Sequence, residues 1–219
     1  MNIYRELIRR EDIQEYYKKG DEILSTLGYT DHSTVHASIV ASKAAEVLSW
    51  FHYPDHLLGL ARAAGYLHDI GNAINRTHHG EYGALLANGI LKEMDVPCAD
   101  RAAIVSAIAN HDESTGAAFD PVSAALIIAD KTDVRRNRVR KKPVSQFDIH
   151  DRVNYAVTRS LTSYKPEKSS IVLTLEIDEE ICTMYDYFEI FLERMMMCRR
   201  AAELLGVRFR LTANGQKVL

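Results

Sequence analysis

Cysteine is scarce in this chain. Cys98, Cys182 and Cys198 stand far apart and form no Cys-x-x-Cys pair. That argues against a disulfide framework and reads as three free thiols in a reducing compartment. No apolar run approaches the ~20 residues that a membrane span needs. The amino-terminal stretch, residues 1–10, is charged throughout, unlike a secretory signal. The expectation is a cytoplasmic protein with no membrane partner. Neither sign of charge dominates: 27 Lys and Arg stand against 30 Asp and Glu, a formal net charge of −3. Nucleic-acid binding would need a wider basic footprint. There is no internal repeat and no low-complexity tract. What is present is ordinary globular composition, 47% apolar and 26% charged, in 219 residues. That length suffices for one good core, or a core with a small appendage.

The most informative stretch is Ala64-Gly65-Tyr66-Leu67-His68-Asp69-Ile70-Gly71-Asn72. Leu57, Leu60, Ala61 and Ala64 recur at helical spacing and His68 continues their row, which points it inward. Asp69 follows about 100° further round. Gly71 is expected to end the helix as a C′ glycine. A buried His beside a buried Asp needs a partner that satisfies both, and a metal ion would do so.

The other helices repeat this placement. One is expected over residues 3–27, with Ile3, Leu7, Ile13, Tyr17 and Leu24 inward. The next runs over residues 34–51, capped by Ser33 or Thr34, with His36 at the edge of its apolar face. A fourth, residues 79–94, starts with His79 on the side of Leu86 and Ile90. A fifth, residues 99–110, leads from Ile104 and Ile108 to His111. Asp120-Pro121 is a start signal, an Asp N-cap before Pro, for a helix that carries Val122, Leu126 and Asp130 on one face. Each residue alone is unremarkable, but five successive helices each placing one such group at the apolar face is not chance. With Asp69 they make an inward set of four His and two Asp. Imidazole with carboxylate suits Fe, Mn, Zn, Ni or Co better than Ca or Mg. Six ligands exceed what one catalytic ion with open positions needs. Two divalent transition-metal ions are therefore expected, with Asp69 able to bridge.

After Asp133 the character changes. Residues 135–142 hold six basic side chains in eight. Most such runs are solvated surface, but Arg matches phosphate bidentately. Their place one to three turns beyond Asp130 selects Arg135 and Arg136, with Arg76 and Lys131, as candidates to bind substrate phosphates. Beyond residue 142 the pattern follows another rule. Residues 143–151 read as a linker. Val153, Tyr155 and Val157 alternate, Lys165-Pro166-Glu167-Lys168 turns, and Ile171, Leu173, Leu175 and Ile177 alternate again, a β-hairpin. A helix over residues 178–205 follows, with Tyr185, Phe188, Phe191 and Met195 among its inward positions. It ends at Gly206, before a last strand through Val207, Phe209 and Leu211. The fold class is thus mainly α, a helical unit over residues 1–142 with a small α+β (ββαβ) appendage over residues 143–219. The free edge of that sheet is compatible with a homodimer.

The order His36, His68-Asp69, Asp130 resembles the HD-domain superfamily of metal-dependent phosphohydrolases. Asp31-His32-Ser33-Thr34-Val35-His36, Leu67-His68-Asp69-Ile70-Gly71 and Ala129-Asp130-Lys131-Thr132-Asp133 carry the match, over roughly residues 30–140. The resemblance implies an all-α bundle in which His36, His68, Asp69 and Asp130 bind one metal. His79-Gly80-Glu81-Tyr82-Gly83-Ala84 and His111 are similar to further ligands of its dinuclear branches, the HD-GYP phosphodiesterases and YqeK-type dinucleotide hydrolases, where iron is frequent. The Gly-Tyr-Pro signature is missing, and Asn72 stands where those branches carry Lys. The implied activity is hydrolysis of a phosphoester or phosphoanhydride, of a nucleotide or similar phosphorylated small molecule. Metal-activated water would be the nucleophile, with His68 and Asp69 at the reacting centre. His78 or Asp112 would assist proton transfer, and His32 and His150 are expected to be ordinary polar residues. A di-iron oxygenase, for which the same six ligands would serve, and a non-catalytic nucleotide-sensing module are the alternatives.

Overall fold

The amino-terminal expectation of one long helix fails at a single point, and the reason is rotational. Leu7 and Ile13 are both fully buried, yet on one continuous helix they would lie about 240° apart. The chain breaks there instead. The computed structural model, which describes residues 3–140 and 143–218, has α1 at Ile3–Leu7 and α2 at Glu11–Thr26. Arg10 adopts extended backbone between them and spends its guanidinium on Asp12 and Glu93.

The helical unit continues with α3 (Thr34–Ser49), α4 (Asp55–Leu67), α5 (His79–Glu93), α6 (Cys98–Ala109) and α7 (Pro121–Lys131). Helix α7 opens on a capping box between Asp120 and Ser123, and every residue from Val122 to Ala129 is buried. A helix apolar all round belongs at the centre, and α7 packs against α3, α4 and α6. Helices α3 and α4 cross closely because small side chains meet there. A Cβ on Gly65 would lie 2.7 Å from Ala41 Cα. That crossing brings the start of α3, with His36, beside the end of α4, with His68. Tyr17 Oη of α2 donates to the Tyr66 carbonyl at 2.6 Å, which satisfies one acceptor that the end of α4 would leave open.

Gly71 does not end α4 as a left-handed cap. The helix stops at Leu67, and Gly71 lies within a 3-10 turn, Ile70–Ala73. Its lack of a side chain serves space: a Cβ there would meet the His79 carbonyl and Gly83 N of α5.

The carboxy-terminal part forms α8 (Ile149–Ala156), β1 (Val157–Lys165), β2 (Ser170–Ile177), α9 (Met184–Leu204), β3 (Arg208–Ala213) and a short β4 (Gln216–Lys217). Strands β1 and β2 make the expected antiparallel hairpin. Strand β3 pairs parallel to β2 after the α9 crossover, and β4 adds a two-residue edge. The strand expected from Val153 is helical instead. Asp148 caps α8 through a box with Asp151, and Val153 and Ala156 are buried at helical spacing. Helix α9 starts six residues later than expected, at the Thr183–Asp186 box, which leaves Tyr185 80% exposed rather than inward. Gly206 takes the left-handed φ of +78° that its C′ position requires. Helix α9 packs on α7, so the carboxy-terminal part shares the core of the helical unit. The three cysteines are free thiols, Cys98 exposed and the others buried. No helix among the described residues is long and apolar enough to cross a membrane. Lys141 and Lys142 of the basic run lie outside the described residues.

Candidate metal centre

Each of the four inward histidines has one ring nitrogen committed to an acceptor. His36 Nδ1 donates to Asp133 Oδ2 at 2.7 Å. His68 Nδ1 donates to the Gly65 carbonyl at 2.8 Å, and His111 Nδ1 to the Ile108 carbonyl at 2.7 Å. His79 Nδ1 lies 3.2 Å from the Arg76 carbonyl. Carbonyls and carboxylates only accept, so these contacts fix the tautomer with the proton on Nδ1. The four Nε2 atoms face the centre of the bundle, where His79 Nε2 also lies 3.3 Å from Arg76 Nη1. For His68 and His111 the partner is the carbonyl three residues back, so the helix end itself aims the ring.

The Nε2 atoms converge on two carboxylates. His36 Nε2 is 3.2 Å from Asp130 Oδ1, and His68 Nε2 is 3.2 Å from Asp69 Oδ2. The cross distances, His36 to Asp69 and His68 to Asp130, are both 3.7 Å. On the other side, Asp69 Oδ1 is 3.5 Å from His79 Nε2, and His79 and His111 bring their Nε2 atoms within 3.2 Å. Asp69 thus turns one oxygen to His36 and His68 and the other to His79. Asn72 holds it there, donating Nδ2 to both the Asp69 carbonyl, 2.9 Å, and Oδ1, 3.0 Å. Asn72 thereby positions a carboxylate, at a place where the resembling branches carry a lysine.

These contacts fit a cation site. His36 Nε2, His68 Nε2 and Asp69 Oδ2 are buried without a hydrogen-bond partner, an unfavourable state for a polar atom. The ligand atoms of His36, His68 and Asp130 lie within 4.8 Å of one another, as do those of His68, Asp69 and His111. Neighbouring donors roughly 3 Å apart are what metal–nitrogen lengths of about 2.1 Å produce. The electrostatics agree. Burial disfavours an imidazolium at His68, but Asp69 and Asp130 outweigh it and push the group up to about 10. Burial also opposes charge on Asp69, yet His68 outweighs it and holds the carboxyl well below the usual range. His111 is pushed down to about 3, by burial first and then by His68 and His79. The carboxylates draw positive charge to the middle, while the outer imidazole stays neutral and able to ligate.

The centre opens into a cavity of about 380 Å³, lined in part by Asp69, His79, His111 and Asp130. Of the four cationic candidates from sequence, Arg76 and Lys131 line it. Arg135 and Arg136 do not. Arg135 donates to both oxygens of Asp133, 2.5 and 3.0 Å, so it braces the acceptor of His36. Arg136 donates Nε to the Tyr155 carbonyl, lies 4.5 Å over the Tyr155 ring and ties α8 to the core. A run of charges says nothing about direction, and neighbours two residues apart here turn to different sides. Arg138 lines the cavity, its donors spent on the carbonyls of Asp31 and Asp133. His32 and His150, expected to be ordinary, line it too. His78 is exposed and pairs with Glu81. Asp112 is nearer, 3.6 Å from His79 Nδ1. Phe191 and Arg194 of α9 complete the wall. Arg194 escaped the sequence reading, its one signal being a charge among the apolar residues of α9.

A family model described as HD domain matches residues 29–152, more than half of the chain. The uncharacterized protein MJ1020 of Methanocaldococcus jannaschii is 29% identical over 174 residues, covering 68% of this chain and 66% of that protein. The chain therefore spans slightly less than two thirds of the length of that relative.

Proposed function

Because the chain belongs to the HD-domain superfamily of metal-dependent phosphohydrolases, we propose that it hydrolyses a phosphoester or phosphoanhydride of a small molecule, a nucleotide being the best-suited class. The proposed centre is two divalent transition-metal ions, iron foremost, held by His36, His68, Asp69, His79, His111 and Asp130. The observation that carries this reading is the anchoring of all four histidines through Nδ1, with the Nε2 atoms of His36 and His68 buried and unpartnered beside Asp69 and Asp130.

When bound, such ions lower the pKa of a coordinated water from 15.7 to about 7 and neutralise charge on the phosphoryl oxygens. The protein's own residues do the rest. Asp133, Gly65, Ile108 and Arg76 orient the four rings through Nδ1. Asn72 keeps Asp69 turned so that its two oxygens face different histidines. Arg76, its Nη1 3.3 Å from Asn72 Oδ1 and its guanidinium 5.2 Å from the Tyr29 ring, offers its remaining donors to a phosphate. Asp112, partly buried and 3.6 Å from His79 Nδ1, would take a proton leaving the site. The cavity falls in the range of small-molecule pockets, and Tyr29, 42% exposed in its wall, supplies an aromatic surface that a nucleobase would use.

The test is elemental analysis of protein purified without added metal, followed by phosphate release from p-nitrophenyl phosphate, mononucleotides, dinucleoside polyphosphates and cyclic dinucleotides. About two transition-metal ions per chain are expected, with hydrolysis abolished by chelation and restored by iron or manganese. A protein that takes up no metal, or one that consumes oxygen and releases no phosphate, would overturn the reading.

Asp133→Asn tests the orienting shell. The amide keeps the shape but weakens the acceptor of His36, and loss of such a partner typically lowers metal affinity about 10–100-fold. Competition with a chelator should show that loss, with ligand residues untouched. Unchanged affinity would mean that Asp133 serves only to pair Arg135 and Arg138.

A further inference from the structure

We infer that Arg194, on α9 and outside the residues matched by the family model, is an anchor for the substrate's phosphate, so that the carboxy-terminal part contributes to substrate recognition. The inference rests on the phosphohydrolase reading above and deepens it.

Arg194 lies on the inward side of α9, between Phe191 and Met195, which are 1% and 0% exposed. A guanidinium in that company is expected to be fully paired if its role is structural. It is paired at one atom: Nε donates to Glu113 Oε1 at 2.9 Å. Nη1 and Nη2 have no hydrogen-bond partner among the described residues, the side chain is 25% exposed, and it lines the cavity that holds Asp69 and Asp130.

The pairing at Nε sets its position relative to the centre. Glu113 Oε2 accepts from Lys131 Nζ at 2.6 Å, and the same Nζ reaches Asp130 Oδ2 at 2.8 Å. Asp130, Lys131, Glu113 and Arg194 thus form one chain of ion pairs from a proposed ligand to the far wall. The guanidinium carbon also stands 4.7 Å over the Phe191 ring, which restricts its swing. Two other cations in the cavity are more committed, while Arg76 is engaged through Nη1 with Asn72 and His79. Lys131 serves two carboxylates, and Arg138 spends Nε, Nη1 and Nη2 on backbone carbonyls. Arg194 keeps both terminal nitrogens for a ligand, on a fork that matches two oxygens of a phosphate. The ligand class is a terminal phosphate, as in a phosphomonoester or the end of a polyphosphate.

The experiment uses the full, metal-loaded chain and inorganic phosphate as probe. Calorimetry would compare wild type, Arg194→Ala, Arg194→Gln and, on the exposed side of α9, Arg199→Ala. Loss of a charge-assisted fork should weaken phosphate binding about tenfold or more in both Arg194 variants, with metal per chain unchanged. Arg199→Ala should bind as wild type. With p-nitrophenyl phosphate the KM should rise by a similar factor while kcat changes less than about threefold, since the group would hold the phosphate in ground and transition states alike. Arg194→Gln keeps a donor for Glu113, so it reads the missing charge even if Arg194→Ala loosens α9. Wild-type phosphate affinity in the Gln variant, or no phosphate binding by wild type, would overturn the inference. Absence of hydrolysis alone would instead count against the phosphohydrolase reading, because the binding measurement stands without turnover.

Discussion

Asp69→Ala should lower phosphate-ester hydrolysis by about 10³-fold or more, the scale of removing one member of a set that acts as a unit, and should release bound metal. The size follows from the position of the carboxylate. It is the one acid that faces both halves of the cluster, 3.2 Å from His68 Nε2 through Oδ2 and 3.5 Å from His79 Nε2 through Oδ1. Alanine removes both oxygens at once and leaves the imidazoles with Asp130 as the one carboxylate remaining among the proposed ligands. The fold should survive, because Asn72 Nδ2 keeps its bond to the Asp69 backbone carbonyl, and no core side chain is lost. Metal per chain, hydrolysis rate and the circular dichroism of the purified variant check the three parts separately. Full activity with full metal content would sink the proposed centre. Asp69→Asn refines the result: it retains one oxygen without charge, so partial metal retention with lost activity is expected.

Gly71→Ala should produce the largest effect on stability from the smallest chemical change. The new Cβ would fall on the His79 carbonyl and on Gly83 N. Both are backbone atoms of α5, so no rotamer relieves the contact and the helix itself must move. Overpacking of this kind typically destabilises by 1–3 kcal/mol and occasionally more; with rigid backbone on the receiving side we expect about 3 kcal/mol. In a domain of this size that lowers Tm by roughly 6–12 °C. The displacement begins at His79, so metal affinity should fall with stability although no proposed ligand is changed. Gly89→Ala, on the same helix with open space around its Cβ, is the control. It should raise stability by about 0.5–1 kcal/mol through helix propensity. Thermal denaturation of both variants with metal titration gives the comparison. If Gly71→Ala melted like wild type, the close approach of α5 would not exist in solution.

The sequence by itself determined the helices that build the centre and the side of each helix on which the His and Asp residues lie. That information is local. Apolar residues at 3.6-residue spacing define a face, and a ligand three or four positions along it shares that face whatever the helix packs against. His68 after Leu60 and Ala64, His111 after Ile104 and Ile108, and Asp130 after Leu126 are all legible this way. So are the Asp120-Pro121 start and the Gly206 stop, where the signal is one residue's own backbone preference. The structure adds their convergence, and the Nδ1 acceptors that fix the tautomers, such as Asp133, 97 positions away from His36.

Only the tertiary structure decided which charges face the cavity. Arg135 and Arg136 turn away and Arg138 turns in, because each follows the nearest buried acceptor rather than any period in the run. Arg194 is reached from Asp130 only through Glu113, 81 residues earlier in the chain. Packing likewise decided between helix and strand at Val153, where both periods fit the apolar residues and the Asp148 cap with burial of Ala156 selects the helix. It also assigned Gly71 to space rather than to a left-handed cap. A period of 3.6 or 2 is written in one segment, whereas a cavity wall is assembled from segments that meet only when the core has closed, and no local pattern carries that distance.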